Sequence, residues 1–110
     1  MAQDYIVLNP DDESRMGTIA INRSVFESIA NISISEIDNA IALKDSKLSK
    51  YLTVKIDQNR LMITTDIKVK YGANVSQTCE LVQNKIYENC LYMTGFKASE
   101  VTVNVIGFDI

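Results

Sequence analysis

From Tyr51 to Tyr71 apolar and polar residues alternate with hardly a break. Leu52, Val54 and Ile56 alternate with Tyr51, Thr53, Lys55 and Asp57. After Gln58-Asn59, Leu61, Ile63, Ile67, Val69 and Tyr71 alternate with Met62, Thr64, Asp66, Lys68 and Lys70. A period of two sends successive side chains to opposite faces, so this stretch predicts a β-hairpin with one apolar and one wet face. The apolar face needs a cover, and the chain supplies one next. Val75, Cys79, Val82, Ile86, Cys90 and Met93 recur at spacings of three and four. At 100° per residue they fill a sector of about 80°, one stripe of a helix over Asn74–Met93. Gln77, Glu80, Asn84 and Glu88 lie opposite, and Gly95 is placed to end the helix in the left-handed conformation. Val101, Val103 and Val105 then alternate with Thr102, Asn104 and Ile106 as a last strand. Strand, helix, strand in this order requires a crossover, which makes the two strands parallel. The expected fold class is α+β, a two-layer sandwich of a small mixed β-sheet with two helices packed on one face.

The other helix lies upstream. Thr18–Ile21 reads as a short extended run, and Ser24-Val25-Phe26-Glu27 as a capping box. Behind it Val25, Ile29 and Ile32 recur at helical spacing. Ile34, Ile37 and Ile41 fall on another sector, and Asp38-Asn39 predicts a break between them. Lys44–Lys50 is a polar link. Residues 1–15, which contain Asn9-Pro10-Asp11-Asp12-Glu13-Ser14, are expected to form an acidic, loosely ordered segment ahead of a single domain over residues 16–110. A chain of 110 residues has room for one core.

Composition removes most chemistries. There is no His, hence no usual general base near neutral pH and no His-based metal site. The four glycines, at 17, 72, 95 and 107, are too scattered for a phosphate-cradling loop. No cofactor and no metal are expected, and no enzyme. No apolar run approaches the roughly 18 residues of a membrane span, and Met1–Ser14 lacks the apolar core of a secretory signal, so no direct membrane insertion is expected. A net charge of −3 counts against nucleic acid as a partner. Lys55, Lys68 and Lys70 share the open sheet face with Asp57 and Asp66 and no aromatic, which reads as a solvated face rather than a base-stacking platform.

Cys79 and Cys90 stand eleven residues apart on one helix, about 16 Å along its axis, too far to pair with each other. Both fall on the apolar stripe, where a thiol acts as a small hydrophobe. Asn22, Asn31 and Asn74 head N-x-[ST] triplets, which without a secretory signal read as chance rather than glycan sites, and two of them also suit helix starts. What remains are apolar pairs outside the expected core: Tyr87 and Leu91 on the outer side of the second helix, and Ile106 and Phe108 on the wet side of the last strand. Paired exposed apolars mark interfaces, so these four are the candidate protein-contact residues.

The order of motifs carries a resemblance. Gly17-Thr18-Ile19-Ala20-Ile21 leads into a helix starting Val25-Phe26-Glu27-Ser28-Ile29-Ala30. Val69-Lys70-Tyr71-Gly72-Ala73-Asn74-Val75 joins strand to helix. Val82-Gln83-Asn84-Lys85-Ile86, Met93-Thr94-Gly95-Phe96 and Val101-Thr102-Val103-Asn104-Val105-Ile106-Gly107 follow. Together, over residues 16–110, they resemble the alkaline shock protein family of cell-envelope stress proteins in Gram-positive bacteria. The resemblance implies a non-catalytic cytoplasmic protein that works by protein–protein association, either with itself as a homo-oligomer or with a membrane-anchored partner that holds it at the inner face of the membrane. It also implies an alternative, regulation of a fatty-acid synthesis enzyme such as acetyl-CoA carboxylase.

Overall fold

The computed structural model describes residues 3–8, 17–43 and 51–110. Among them lie β1 (Tyr5–Leu8), β2 (Ile19–Asn22), α1 (Arg23–Ser35), β3 (Ala40–Ala42), β4 (Leu52–Asp57), β5 (Arg60–Lys70), α2 (Val75–Thr94) and β6 (Glu100–Asp109). The polar link Lys44–Lys50 lies outside the described residues.

β5 is the spine. Along one edge it pairs antiparallel with β4, from Leu52↔Thr65 to Asp57↔Arg60, and further on with β3, where Ala40 faces Val69. Along its other edge it pairs parallel with β6. This is the mixed sheet and α2 crossover that the sequence requires, and the class is α+β. Leu52, Val54, Ile56, Leu61, Ile63, Ile67 and Val69 are all buried, while Thr53, Lys55, Thr64 and Lys70 on the opposite face are exposed. The alternation therefore predicts the burial, except at Tyr71. Expected to point inward, it lies past the end of β5 and is 73% exposed. The turn Gln58-Asn59 takes φ of 52° and 56°, the doubly left-handed form that a two-residue hairpin needs to match strand twist.

The N-terminal segment departs from expectation. Tyr5–Leu8 is a strand, pairing antiparallel with β2 in a second, two-stranded sheet. Ile6 is fully buried in the same core as the main sheet. Asn59 fastens this strand: its side chain accepts from the Val7 amide at 2.9 Å and donates to the Val7 carbonyl at 3.0 Å, while its own amide donates to the Gln3 side chain. The amide group of Asn59 thus does for β1 what a neighbouring strand would do. Asn9–Met16, the acidic turn stretch, lies outside the described residues.

α1 begins one cap earlier than the capping box suggests. Asn22 is the N-cap, its side chain accepting from the Ser24 amide at 2.8 Å, and Ser24 sits inside the first turn. The buried stripe is Phe26, Ile29, Ala30, Ser33 and Ile34, whereas Val25 and Ile32, expected inside, are 41% and 57% exposed. Isoleucines ring this helix, and Phe26, the largest apolar side chain on it, sets which face turns in. α1 ends before Asp38-Asn39 as expected, but Ile41 then enters β3 rather than a helix. Buried Ser33 donates to the Ile29 carbonyl at 2.6 Å and accepts from the Asn89 side chain at 2.9 Å; Asn89 also reaches Glu36. The seam between the helices is therefore pinned by a satisfied polar contact.

In α2 the buried residues are Thr78, Val82, Ile86 and Cys90. That is a row at strict i+4 spacing, which winds slowly around the helix, so Met93, expected inside, is left 63% exposed. Asn74 caps the start through its side chain to the Gln77 amide, and Gly95 ends the helix at φ 75° with its amide on the Leu91 carbonyl. A Cβ at Gly95 would meet nothing within 4 Å. Gly95→Val is thus expected to cost about 1 kcal/mol or more through backbone strain alone, read as a shift in urea midpoint at constant m-value.

Candidate interaction surface

The four candidate residues divide between two places. Tyr87 is half-buried and packs against the core, so it is not on the outer side of α2 as expected. It lines a shallow groove of about 330 Å³ with Gln83, Asn84, Ala98, Ser99, Glu100 and Val101. Gln83 crosses this groove to donate to the Val101 carbonyl at 2.8 Å. Leu91, one turn along α2, is also half-buried.

Ile106 and Phe108 are 50% and 47% exposed near the far end of β6. They do not share a face by simple alternation. Val105 pairs with Ile67 but Gly107 with Lys68, so Ile106 is an inserted bulge residue. The bulge brings Phe108 into register with core residue Val69, and its ring stands edge-on to Tyr71, centroids 5.9 Å apart at 81°. Such an aromatic pair is a favourable contact in its own right. From Val101 to Phe108 is roughly 20 Å of strand, so the structure does not bring the two candidate pairs into one patch.

Other exposed apolar side chains escaped the sequence reading. Leu81 and Tyr92 stand out from α2, Tyr92 at 90% exposure, and Ile19 projects from β2. The signal for the α2 residues was the i+4 row of buried positions, which leaves 81, 92 and 93 outside it. The open sheet face carries mixed charge: Asp66 accepts from the Asn104 side chain at 3.0 Å, between exposed Lys55 and Lys70.

The described residues offer little reactive chemistry. Cys79 and Cys90 are free, Cys79 half-buried and Cys90 fully buried. Burial raises both thiols, Cys90 to about 11, the opposite of the lowered values of reactive cysteines. No group of three or more Cys, Asp or Glu among the described residues is placed to hold a metal ion. No described helix is long and apolar enough to cross a membrane. Asn22 and Asn74, two of the three triplet asparagines, are spent as helix caps.

The chain is similar to the uncharacterized protein YqhY of Bacillus subtilis (strain 168), with 26% identity over 118 aligned positions that span 96% of this chain and 87% of the relative. Residues 11–110 match a family with a cell envelope-related function. With nearly its whole length matched in that way, the chain belongs to the alkaline shock protein family.

Proposed function

We propose that this protein acts in the cell-envelope stress response as a non-catalytic association module, cytoplasmic and held at the inner membrane face by a membrane-anchored partner. The observation that carries the reading is the number of large apolar side chains left open on a folded α+β domain. Ile106 and Phe108 on β6 and Tyr92 and Met93 on α2 are each about half or more exposed. Side chains of this size left open to solvent are the ones that a partner's surface would cover. Tyr87 and Leu91 beside the groove and Ile106 and Phe108 at the strand end are the proposed contact residues. Aromatic side chains bury large area at small entropic cost and are the stronger anchors.

The test uses two double variants, Tyr87→Ala with Leu91→Ala and Ile106→Ala with Phe108→Ala. All four residues are part-exposed, so each double variant should lose no more than about 2 kcal/mol in urea denaturation. At least one should weaken retention of the purified protein on solubilised envelope fractions by about tenfold, equivalent to about 1.4 kcal/mol. Wild-type retention by both variants would refute the assignment. Selective retention of a carboxylase subunit from the soluble fraction would favour enzyme regulation instead.

A further inference from the structure

β6 pairs with β5 and with no other strand among the described residues, so one of its edges is open. Which main-chain groups point there follows from the register. The Asp66 amide donates to the Tyr51 carbonyl on the β4 side. Main-chain groups alternate from edge to edge along a strand, so Ile63, Thr65 and Ile67 turn theirs toward β6. In a parallel ladder such a residue bonds the two neighbours of the residue opposite it. Ile63, opposite Val101, therefore engages Glu100 and Thr102, and Thr65, opposite Val103, engages Thr102 and Asn104. The amides and carbonyls of Val101, Val103 and Val105 are left for the open edge. The bond from the Gln83 side chain to the Val101 carbonyl agrees, since that oxygen is reached from outside the sheet.

This stretch lies wholly before the bulge at Ile106, and β6 contains neither Lys nor Pro to guard it. Val103 and Val105 are only half-buried although they pack against the core, so part of each side chain is still open. Beyond Val101 the edge runs into the groove beside α2, whose walls include Asn84, Tyr87, Ser99 and Glu100. These residues offer oxygens that accept hydrogen bonds, one of them a carboxylate. Exposed Glu80 stands one turn before Gln83 and Asn84 on the same side of α2 and adds a second carboxylate. Lys97, the cation nearest in sequence, is exposed and does not line the groove. An extended row of main-chain donors and acceptors that ends in acceptors and negative charge fits a peptide with alternate apolar side chains followed by an arginine, whose flat fork of five donors suits such a pocket. A second copy of β6 carries Glu100 and Asp109 and no cation, so it lacks that residue.

We propose that the β6 edge from Val101 to Val105 takes up an extended segment of a partner protein as an added antiparallel strand, with an arginine beyond Val101 entering the groove between α2 and the start of β6. The proposal rests on the association reading and names the chemistry of the segment that a partner would present. It concerns a main-chain surface rather than the Ile106 and Phe108 side chains, and it is tested with the purified chain and a synthetic peptide. Its failure therefore leaves retention on envelope fractions untouched.

The probe is the peptide acetyl-Val-Thr-Val-Thr-Val-Ser-Arg-amide, titrated into the isotopically labelled full chain and followed through the amide signals. In the free chain the Val103 amide should exchange with solvent faster than those of Thr102 and Asn104. The peptide should bind with a Kd of about 10–500 µM, as expected of a small interface, and should slow exchange at Val103. N-methylation of the peptide's central valine removes the donor that the Val103 carbonyl would accept, and should abolish binding without altering the protein. A peptide with Glu in place of the arginine should bind about three- to tenfold more weakly at low salt. Glu80→Lys with Glu100→Lys should reverse that preference, and both positions are exposed, so the fold is kept. No binding at millimolar peptide, binding that survives N-methylation, or equal affinity for the two peptides would each overturn the proposal. So would a Val103 amide already as slow as its neighbours in the free chain. Protection at Val103 that rises with protein concentration in the absence of peptide would give the edge to a second copy and overturn it as well.

Discussion

Ile6→Ala is expected to destabilise the domain by about 2–5 kcal/mol, the range for truncating a fully buried aliphatic side chain. Ile6 has no exposed surface and belongs to the same core as Phe26 and Ile63, although it comes from the second, two-stranded sheet. A loosely ordered N-terminal segment would give a quite different result, a change within about 0.5 kcal/mol as at ordinary surface sites. Urea denaturation followed by circular dichroism separates the two outcomes cleanly. Asn59→Ala is the companion variant. It removes both side-chain hydrogen bonds to Val7 without touching the apolar contact. If the strand docks as described, its cost adds less than fully to that of Ile6→Ala, because both changes release one element.

Raising the pH from 9 to 11 is expected to remove about 2 kcal/mol of stability through Cys90. The thiol is fully buried, and its ionisation is pushed from the ordinary 9.0 to about 11. In the folded chain it stays mostly protonated until the top of that interval; in the unfolded chain it gives the proton up from about pH 9. Unfolding therefore releases a proton, and rising pH favours it. The contribution is intact below pH 9 and is lost as pH climbs through 11. Other groups of the unfolded chain titrate in the same window, so the measurement is the difference from Cys90→Ala. That variant starts less stable because of the small cavity, but its stability should decline more gently with pH. Parallel curves would show that the thiol is open to water. Slow labelling of native Cys90 by a thiol reagent should accompany the steeper decline.

The parts legible in the sequence were those in which local pattern and burial share one period. Leu52–Val69 alternates as it is buried, and Gly95 ends α2 because a residue free of Cβ strain stands just past the last apolar turn. The misread parts depended on distant partners. Tyr5–Leu8 has no turn to β2 short enough to announce a hairpin, and β3 is three residues long; each is held by pairing that no local window contains. On α1, Val25 and Ile32 satisfied a helical spacing as well as Phe26 and Ile34 did, and only packing against the sheet chose between them. Of the candidate surface, Ile106 and Phe108 are each about half exposed, but they do not share the wet side as expected, because the bulge, which left no mark in the sequence, sets Phe108 in register with core residue Val69. Tyr87 was placed one face too far out, because the stripe on α2 is wider than its four fully buried residues.

The clamp at Asn59 has a consequence for how the chain is made. Its partners Gln3 and Val7 lie 56 and 52 residues earlier. β4 and β5 meet across a two-residue turn and can pair within microseconds of leaving the ribosome, whereas β1, although it can meet β2 early, has no clamp at Asn59 and no main-sheet core to settle on until that turn exists. Synthesis proceeds at about 5–20 residues per second, so the strand made first waits several seconds for its seat. During that wait Ile6 and its neighbours are exposed to solvent in the nascent chain. The acidic run that follows them, Asp11-Asp12-Glu13, keeps a charge close to that apolar stretch throughout the delay.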